Sequence, residues 1–307
     1  MYQGYFIEGK RVAGESEMID AQTELYGVIG NPVYHSLSPI IHNGAFRRLG
    51  WNAVYLAFEV KNLEEALKGI RGLGVRGLSV TIPFKAEVVP FLDKVEGLAK
   101  KIRAVNTIAN RGGRLIGYNT DCDGALDALE ERMDLRGKRF VLLGAGGAAR
   151  AIAFGLEERG YPLTVVNRSK ERGQALCKEL GCDYLPVSSL MRMKTGELEA
   201  DIIINATSLG MYPRDGDTPI PKELLKEGMT VMDIVYQPLQ TKLLREAKEK
   251  GCVTVDGLEM LMRQGAAQFE IWTGGRLEIG QIKKDLRRAL EREPAQTRSA
   301  GRKMGKR

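Results

Sequence analysis

Apolar residues in this chain fall into short runs, and between them lie stretches where apolar positions recur at helical spacing. The runs at 25–30, 54–58 and 77–81 have strand length, as do those at 140–143, 163–166, 202–206, 231–234 and 253–255. Near-continuous apolar runs of this size predict strands buried on both faces. Helices are expected from Ser38 through 49, over 63–73 and at 98–102, with a further helical run opening at Phe84-Lys85 once Pro83 has stopped the third strand. Residues 104–107 and 115–118 read as two strands joined by a turn at Gly112-Gly113. A linking helix at 125–133 puts Leu126, Leu129 and Met133 on one face, and a last helix at 258–272 carries apolar residues at 258, 261, 262, 265, 266 and 269. Strands alternating with helices predict the α/β class. The expected division is an extension at 1–24, a first α/β unit with a mainly parallel sheet at 25–122, and a second, doubly wound unit at 123–254. C-terminal helices at 255–290 and a tail at 291–307 complete it. Within the extension, 5–7 and 11–12 are hairpin candidates with no function assigned.

The second unit opens on R-F-V-L-L-G-A-G-G-A-A-R, from Arg139 to Arg150. Gly144, Gly146 and Ala149 fill a G-x-G-x-x-A pattern between a strand and a helix start, the context required of a Rossmann-type dinucleotide fingerprint. The glycines permit a tight turn and a close pyrophosphate, and the free N–H groups at the helix start face its charge. An NAD site needs an acid at the tip of the next strand. That strand ends Asn167-Arg168-Ser169-Lys170-Glu171-Arg172. No acid stands at the tip, and two arginines suit a 2′-phosphate, so NADP(H) is the expected cofactor.

Other strand ends carry polar residues. Ser36 and Ser38 flank a helix start, where hydroxyls and backbone N–H groups together hold a carboxylate; Ser38-Pro39 also reads as an N-cap pair. Thr81 and Lys85 follow one strand and Asp121 another, and a lysine paired with an aspartate relays a proton to a carbonyl oxygen. Each residue also has an ordinary reading, as a cap, a loop serine or a solvated charge. His35 and His42 lack the partners of a metal site, and no metal is expected.

Composition narrows the class. No apolar run approaches a membrane span, and the N-terminus lacks a signal layout. Four cysteines without C-x-x-C spacing read as reduced thiols, so a cytoplasmic location is expected. Of the formal charge of +7, residues 291–307 hold +4, from six basic and two acidic side chains. A basic tail without aromatic residues or apolar periodicity predicts a disordered, solvated terminus rather than a nucleic-acid arm.

The segments G-N-P-V-Y-H-S-L-S-P, V-T-I-P-F-K, A-V-N-T, N-T-D-x-x-G, G-A-G-G-A-A-R, N-R-S, N-A-T-S-L-G-M and G-L-E-M-L-M-x-Q-G-A-x-x-F occur in that order. Together, over roughly 25–275, the chain resembles shikimate dehydrogenase. The resemblance implies NADPH-dependent, reversible reduction of 3-dehydroshikimate to shikimate on the way to aromatic amino acids. It also implies an N-terminal substrate domain, a Rossmann domain, and a last helix returning to the first. Ser36, Ser38 and Tyr236 would meet the substrate carboxylate, Thr81 and Gln264 the ring hydroxyls, and Lys85, Asp121 and Asn106 the oxygen at the reacting carbon. Gly144, Ala145, Gly146, Gly147 and Ala148 would bind the pyrophosphate, and Asn167, Arg168, Ser169 and Arg172 the adenosine phosphate. Thr207, Ile234, Gly257 and Met260 would line the nicotinamide end. Three positions depart from the family pattern: Arg103 in place of a usual glycine, Ser79 for a frequent asparagine, and Gly97 where an acid is common. The alternatives are a relative oxidising quinate with NAD and a silent NADP-sensing module. A small-molecule substrate and a monomer or homodimer are expected, without nucleic-acid or membrane partners.

Overall fold

The computed structural model describes residues 19–292, so the hairpin expected at 5–7 and 11–12 and the tail beyond 292 lie outside the described residues. The first unit runs β1 (Glu24–Gly30), α1 (Ser38–Leu49), β2 (Ala53–Glu59), α2 (Leu63–Gly72), β3 (Gly77–Val80), β4 (Lys94–Val95), α3 (Leu98–Ile102), β5 (Thr107–Arg111) and β6 (Arg114–Tyr118). Its sheet order is β2-β1-β3-β5-β6-β4. β1 lies parallel to β2 and β3, whereas β5 is antiparallel to both β3 and β6. The reversal between β5 and β6 follows from the two-residue turn at Gly112 (φ 63°) and Gly113 (φ 88°), where left-handed backbone suits glycine and matches strand twist. As a result the start of β5 and the end of β6 share the sheet edge where β1 and β3 end.

Two expectations change here. The strand predicted at 104–107 begins only at Thr107, because Val105 N–H donates to Lys85 O (2.7 Å) and ties this segment to the loop after β3. The helical run predicted after Pro83 reduces to turns and a 3₁₀ segment at Val89–Phe91. Pro90 has no N–H and disfavours helical backbone in the residue before it, so the helix does not propagate.

α4 (Asp121–Glu130) leads out of the first unit, and the second contains β7 (Phe140–Leu143), α5 (Gly147–Glu158), β8 (Leu163–Asn167), α6 (Lys170–Leu180), β9 (Asp183–Pro186), α7 (Val187–Leu190), β10 (Ile202–Asn205), β11 (Thr230–Asp233), α8 (Lys242–Glu249) and β12 (Val253–Val255). All strands are parallel, in the order β12-β11-β10-β7-β8-β9. Phe140 and Leu142 enter one core and Val141 and Leu143 the other, so β7 is apolar at every position because both its faces are covered. β9 is half-exposed at the edge and has no comparable run, which is why the pattern missed it.

α9 (Gly257–Thr273) returns to the first unit. Phe269 and Trp272 join its core beside Tyr26, Phe46 and Tyr55, and the Trp272 indole donates to Ile108 O at 2.9 Å. α9 is not the last helix. α10 (Ile279–Arg292) follows, burying Ile282 and Leu286 against Leu37, Ile41 and Leu258, and it takes in Glu291 and Arg292, assigned by sequence to the tail. Among the described residues no helix is long and apolar enough to cross a membrane.

Candidate active site

Strand register brings the polar loops together. Ile29 of β1 lies beside Val80 of β3, which sets Gly30 against Thr81, and Asn31 N–H donates to Ile82 O (3.0 Å). Val80 N–H donates to Asn106 O (2.8 Å), and Asn106 N–H to Tyr118 O (3.1 Å). The residues after β1 and β3, before β5 and after β6 therefore form one rim.

On this rim Lys85 Nζ donates to Asp121 Oδ2 at 2.6 Å. Their side chains are 18% and 4% exposed, so the ammonium reaches solvent and the carboxylate does not. Asp121 lies in the first turn of α4, four residues earlier than the linking helix was expected to begin, and the helix dipole there favours a negative charge. Asn106 holds its other oxygen, with Nδ2 donating to Asp121 Oδ1 (2.8 Å), Thr120 Oγ1 (3.0 Å) and Gln264 Oε1 (3.2 Å). The carboxylate is thus fixed from two sides, and an ammonium with three protons keeps donors for a ligand.

Ser38 is not the helix cap. Leu37 occupies that position in helical backbone (φ −85°, ψ −5°), and Ser36 Oγ accepts from Ser38 N–H at 3.2 Å. Both serines stay at the mouth of α1, with the Ser38 hydroxyl free of a capping bond. Tyr236 packs half-buried against the cluster that Leu37 and Ile41 form with Leu258, Met262, Ile282 and Leu286, and burial pushes its phenol up.

The glycine turn meets this rim. A Cβ added at Gly147 would stand 3.8 Å from Lys85 Cβ and Cδ, so the lysine stem faces the start of α5 with room for about one carbon between them. Gly144 has φ 119°, and a Cβ there would stand 2.9 Å from Ala206 O. Gly146 caps α5 without any side-chain bond, and nothing fills the space where its Cβ would be. Ala145 packs on the core and Ala148 follows in the helix. An open cradle of unsatisfied N–H groups fits a pyrophosphate.

Arg168 and Arg172 are exposed, and neither pairs with a carboxylate among the described residues. Asn167 and Ser169 are more committed. Asn167 Nδ2 donates to Ser169 O (2.8 Å); Ser169 Oγ caps α6, accepting from Arg172 N–H (3.3 Å), and donates to Glu171 (2.9 Å). The arginines, more than the serine, are available to a phosphate. At the other end of the cleft, Thr207 donates from N–H and hydroxyl to Asn205 Oδ1 (3.0 and 2.7 Å) beside Gly144. Gly257 lets α9 press on the backbone of Ile234, and Met260 is buried in the core against which Ile234 also packs. Asp233 accepts from Thr241 Oγ1 (2.7 Å), Asn205 Nδ2 (2.9 Å) and Val235 N–H (3.0 Å), yet burial still pushes its carboxyl up to about 6.

Sequence reasoning missed Thr120, Tyr55 and Gln268 as partners of these groups. Gln268 left a signal: it is a polar residue inside the apolar arc of α9, four positions after Gln264. Of the three departures, Gly97 adopts φ 53° with ψ −138°, a backbone that disfavours the acid common there. Arg103 is left-handed, and Ser79 is buried and fully bonded.

Three family descriptions match the chain: "Shikimate dehydrogenase substrate binding domain" at 28–108, "Shikimate / quinate 5-dehydrogenase" at 127–234 and "Shikimate 5'-dehydrogenase C-terminal domain" at 257–284. The chain belongs to the shikimate dehydrogenase family. A family member from Thermococcus kodakarensis, named shikimate dehydrogenase (NADP(+)), is 50% identical over 267 residues, covering 86% of this chain and 96% of its own. A shikimate dehydrogenase solved with NADP+ superposes at TM-score 0.82 with 43% identity, over 87% of this chain and 96% of that one. The shikimate 5-dehydrogenase of Thermus thermophilus, solved with NADP(H) and shikimate, gives 0.80 and 39% over 87% of this chain and all of its own. The fold is the two-domain α/β arrangement of these shikimate dehydrogenases, and the three relatives carry NADP(+), NADP+ or NADP(H) in their names or bound states.

Proposed function

We propose that this chain reduces 3-dehydroshikimate reversibly to shikimate with NADPH, using Lys85 as acid/base and Asp121 as its partner. One observation carries the assignment of roles: a 2.6 Å Lys85–Asp121 pair whose lysine stem faces the glycine turn across about one carbon's width. When bound, the nicotinamide supplies or accepts the hydride. Negative charge then grows on the substrate oxygen, and the Lys85 ammonium stabilises and protonates it. Asp121 fixes the direction of that ammonium, and Asn106 fixes Asp121. Ser36 and Ser38, at the mouth of α1 with Tyr236 nearby, are matched to the substrate carboxylate, and Thr81 and Gln264 to its ring hydroxyls. The Gly144–Ala148 turn holds the pyrophosphate, and Arg168 and Arg172, with Asn167 and Ser169 shaping their loop, hold the 2′-phosphate. Thr207, Ile234, Gly257 and Met260 wall the nicotinamide end.

Lys85→Ala is expected to lower kcat by roughly 10²–10⁴ while shikimate still binds. A variant turning over near the wild-type rate removes the lysine from the reaction. Assaying shikimate and quinate with NADP+ and with NAD+ tests the substrate and cofactor together. A clear preference for quinate with NAD+ would overturn the proposal.

A further inference from the structure

α9 sends two glutamines, one helical turn apart, to the same residue. Gln264 accepts from the Asn106 side chain, and Gln268 Nε2 donates to the Asn106 backbone oxygen at 3.1 Å, an atom that also accepts from Val80 N–H. The other end of the Gln268 amide, Oε1, accepts from Ser79 Oγ at 2.7 Å, and Ser79 Oγ accepts from the Tyr55 hydroxyl at 2.6 Å. Tyr55, Ser79 and Gln268 are 0%, 5% and 1% exposed. Tyr55 is also held to α1: its N–H donates to Asn43 Oδ1 (2.8 Å), its carbonyl oxygen accepts from Asn43 Nδ2 (2.8 Å), and its ring stacks on His42 with centroids 4.5 Å apart. A chain of contacts thus runs from α1, whose mouth carries Ser36 and Ser38, through Tyr55, Ser79 and Gln268 to the hub of the Lys85–Asp121 pair.

We propose that Gln268 is a positioning residue of this enzyme, and that the Tyr55–Ser79–Gln268 relay sets the spacing between the carboxylate end of the site (Ser36, Ser38) and the proton-transfer end (Asn106, Asp121, Lys85). The proposal rests on the roles assigned to those residues above. A buried amide whose two ends are both bonded has a single orientation, and the low-dielectric surroundings make the bonds stiff. Gln268 bridges β3 and the start of β5, the two backbones from which Thr81, Lys85 and Asn106 emerge. Ser79 explains itself in this frame, because one hydroxyl both accepts from Tyr55 and donates to Gln268. Small errors in placing reacting groups are costly to rate, so loosening Asn106 should act on turnover before it acts on cofactor binding.

The test compares Gln268→Leu, Ser79→Ala, Gln268→Glu and Lys85→Ala in the full chain, with 3-dehydroshikimate and NADPH as probes. Gln268→Leu is expected to lower kcat about tenfold or more, to leave NADPH affinity within about twofold, and to move the kcat–pH profile, since Asp121 loses a rigidly held donor. Ser79→Ala should lower kcat by less, and the double variant should fall no further than Gln268→Leu alone. Gln268→Glu keeps the acceptor for Ser79 but donates to Asn106 O only when protonated, so its turnover should drop as pH rises through that carboxyl's titration. Wild-type kcat with an unmoved pH profile in Gln268→Leu overturns the relay. Should that variant not fold, a pH dependence in Gln268→Glu identical to wild type overturns it instead. Lys85→Ala separates the two ideas: an inactive lysine variant beside wild-type Gln268 variants sinks only the relay, whereas an active lysine variant sinks the reading beneath it.

Discussion

His42 is completely buried, stacked on Tyr55 with ring centroids 4.5 Å apart and flanked by Trp272. Burial pushes it down to about 3, and neither ring nitrogen has a hydrogen-bond partner among the described residues to hold a charge. It is therefore neutral in the folded protein at every ordinary pH. Below about 6.5 the unfolded chain takes up a proton that the folded one refuses, so this residue removes stability as pH falls from there towards 3, at up to ~1.4 kcal/mol per pH unit. Asp233 acts in the opposite direction. Its raised folded-state value, about 6 against 3.8, lets the folded protein protonate first, so stability is regained as pH falls from about 6 to 4. The two slopes offset each other across most of that window. Substitution of His42 by Phe, which keeps the stacking, should make the variant progressively more stable than wild type below about pH 6.5 in urea titrations. Parallel curves for the two proteins would contradict a buried neutral imidazole. Nothing in the spacing of two histidines announced this; the returning Trp272 and Phe269 decided it.

At the scale of elements, Arg103 ends α3 in left-handed backbone (φ 56°, ψ 37°), and its side chain is exposed. Left-handed backbone costs a non-glycine residue roughly 1–2 kcal/mol, partly returned by the lower entropy of its unfolded state. Arg103→Gly should therefore stabilise the protein by about 1 kcal/mol, seen as a raised denaturant midpoint at unchanged slope. An unchanged or lowered midpoint would place the arginine in some compensating contact. The elements themselves were largely legible, because a strand such as Ile202–Asn205 is buried on both faces and shows it as an uninterrupted apolar run. β4 and β9 were not, since edge strands need no such run. α10 was expected only within C-terminal helices at 255–290 and without bounds of its own, because its buried positions, Ile282 and Leu286, are sparse among charged residues. The turns after Pro83 replaced a helix through Pro90, a local signal that was present and outweighed by the surrounding apolar pattern.

Across the whole molecule, the second unit offers a pyrophosphate cradle and two exposed arginines, and the first offers the Lys85–Asp121 pair. Arg168→Ala combined with Arg172→Ala should raise the KM for NADPH by roughly 10–100-fold, the loss of charge-assisted hydrogen bonds to phosphate, while NADH use changes little. Equal losses with both cofactors would remove these arginines from 2′-phosphate recognition. Sequence by itself determined the alternation of strands and helices, the glycine turn, the absence of an acid at the tip of β8, and the identities of the residues proposed for the site. Those properties are written within a few neighbouring residues, where propensity and spacing act. Only tertiary structure decided which of those side chains are committed and which remain free: Ser38 released from capping, Ser169 held by it, Asn106 made a hub. Lys85 meets Asp121 across 36 residues and Asn106 meets Gln264 across 158. Contacts of that range depend on strand order and on a helix that crosses back, and no local pattern encodes them.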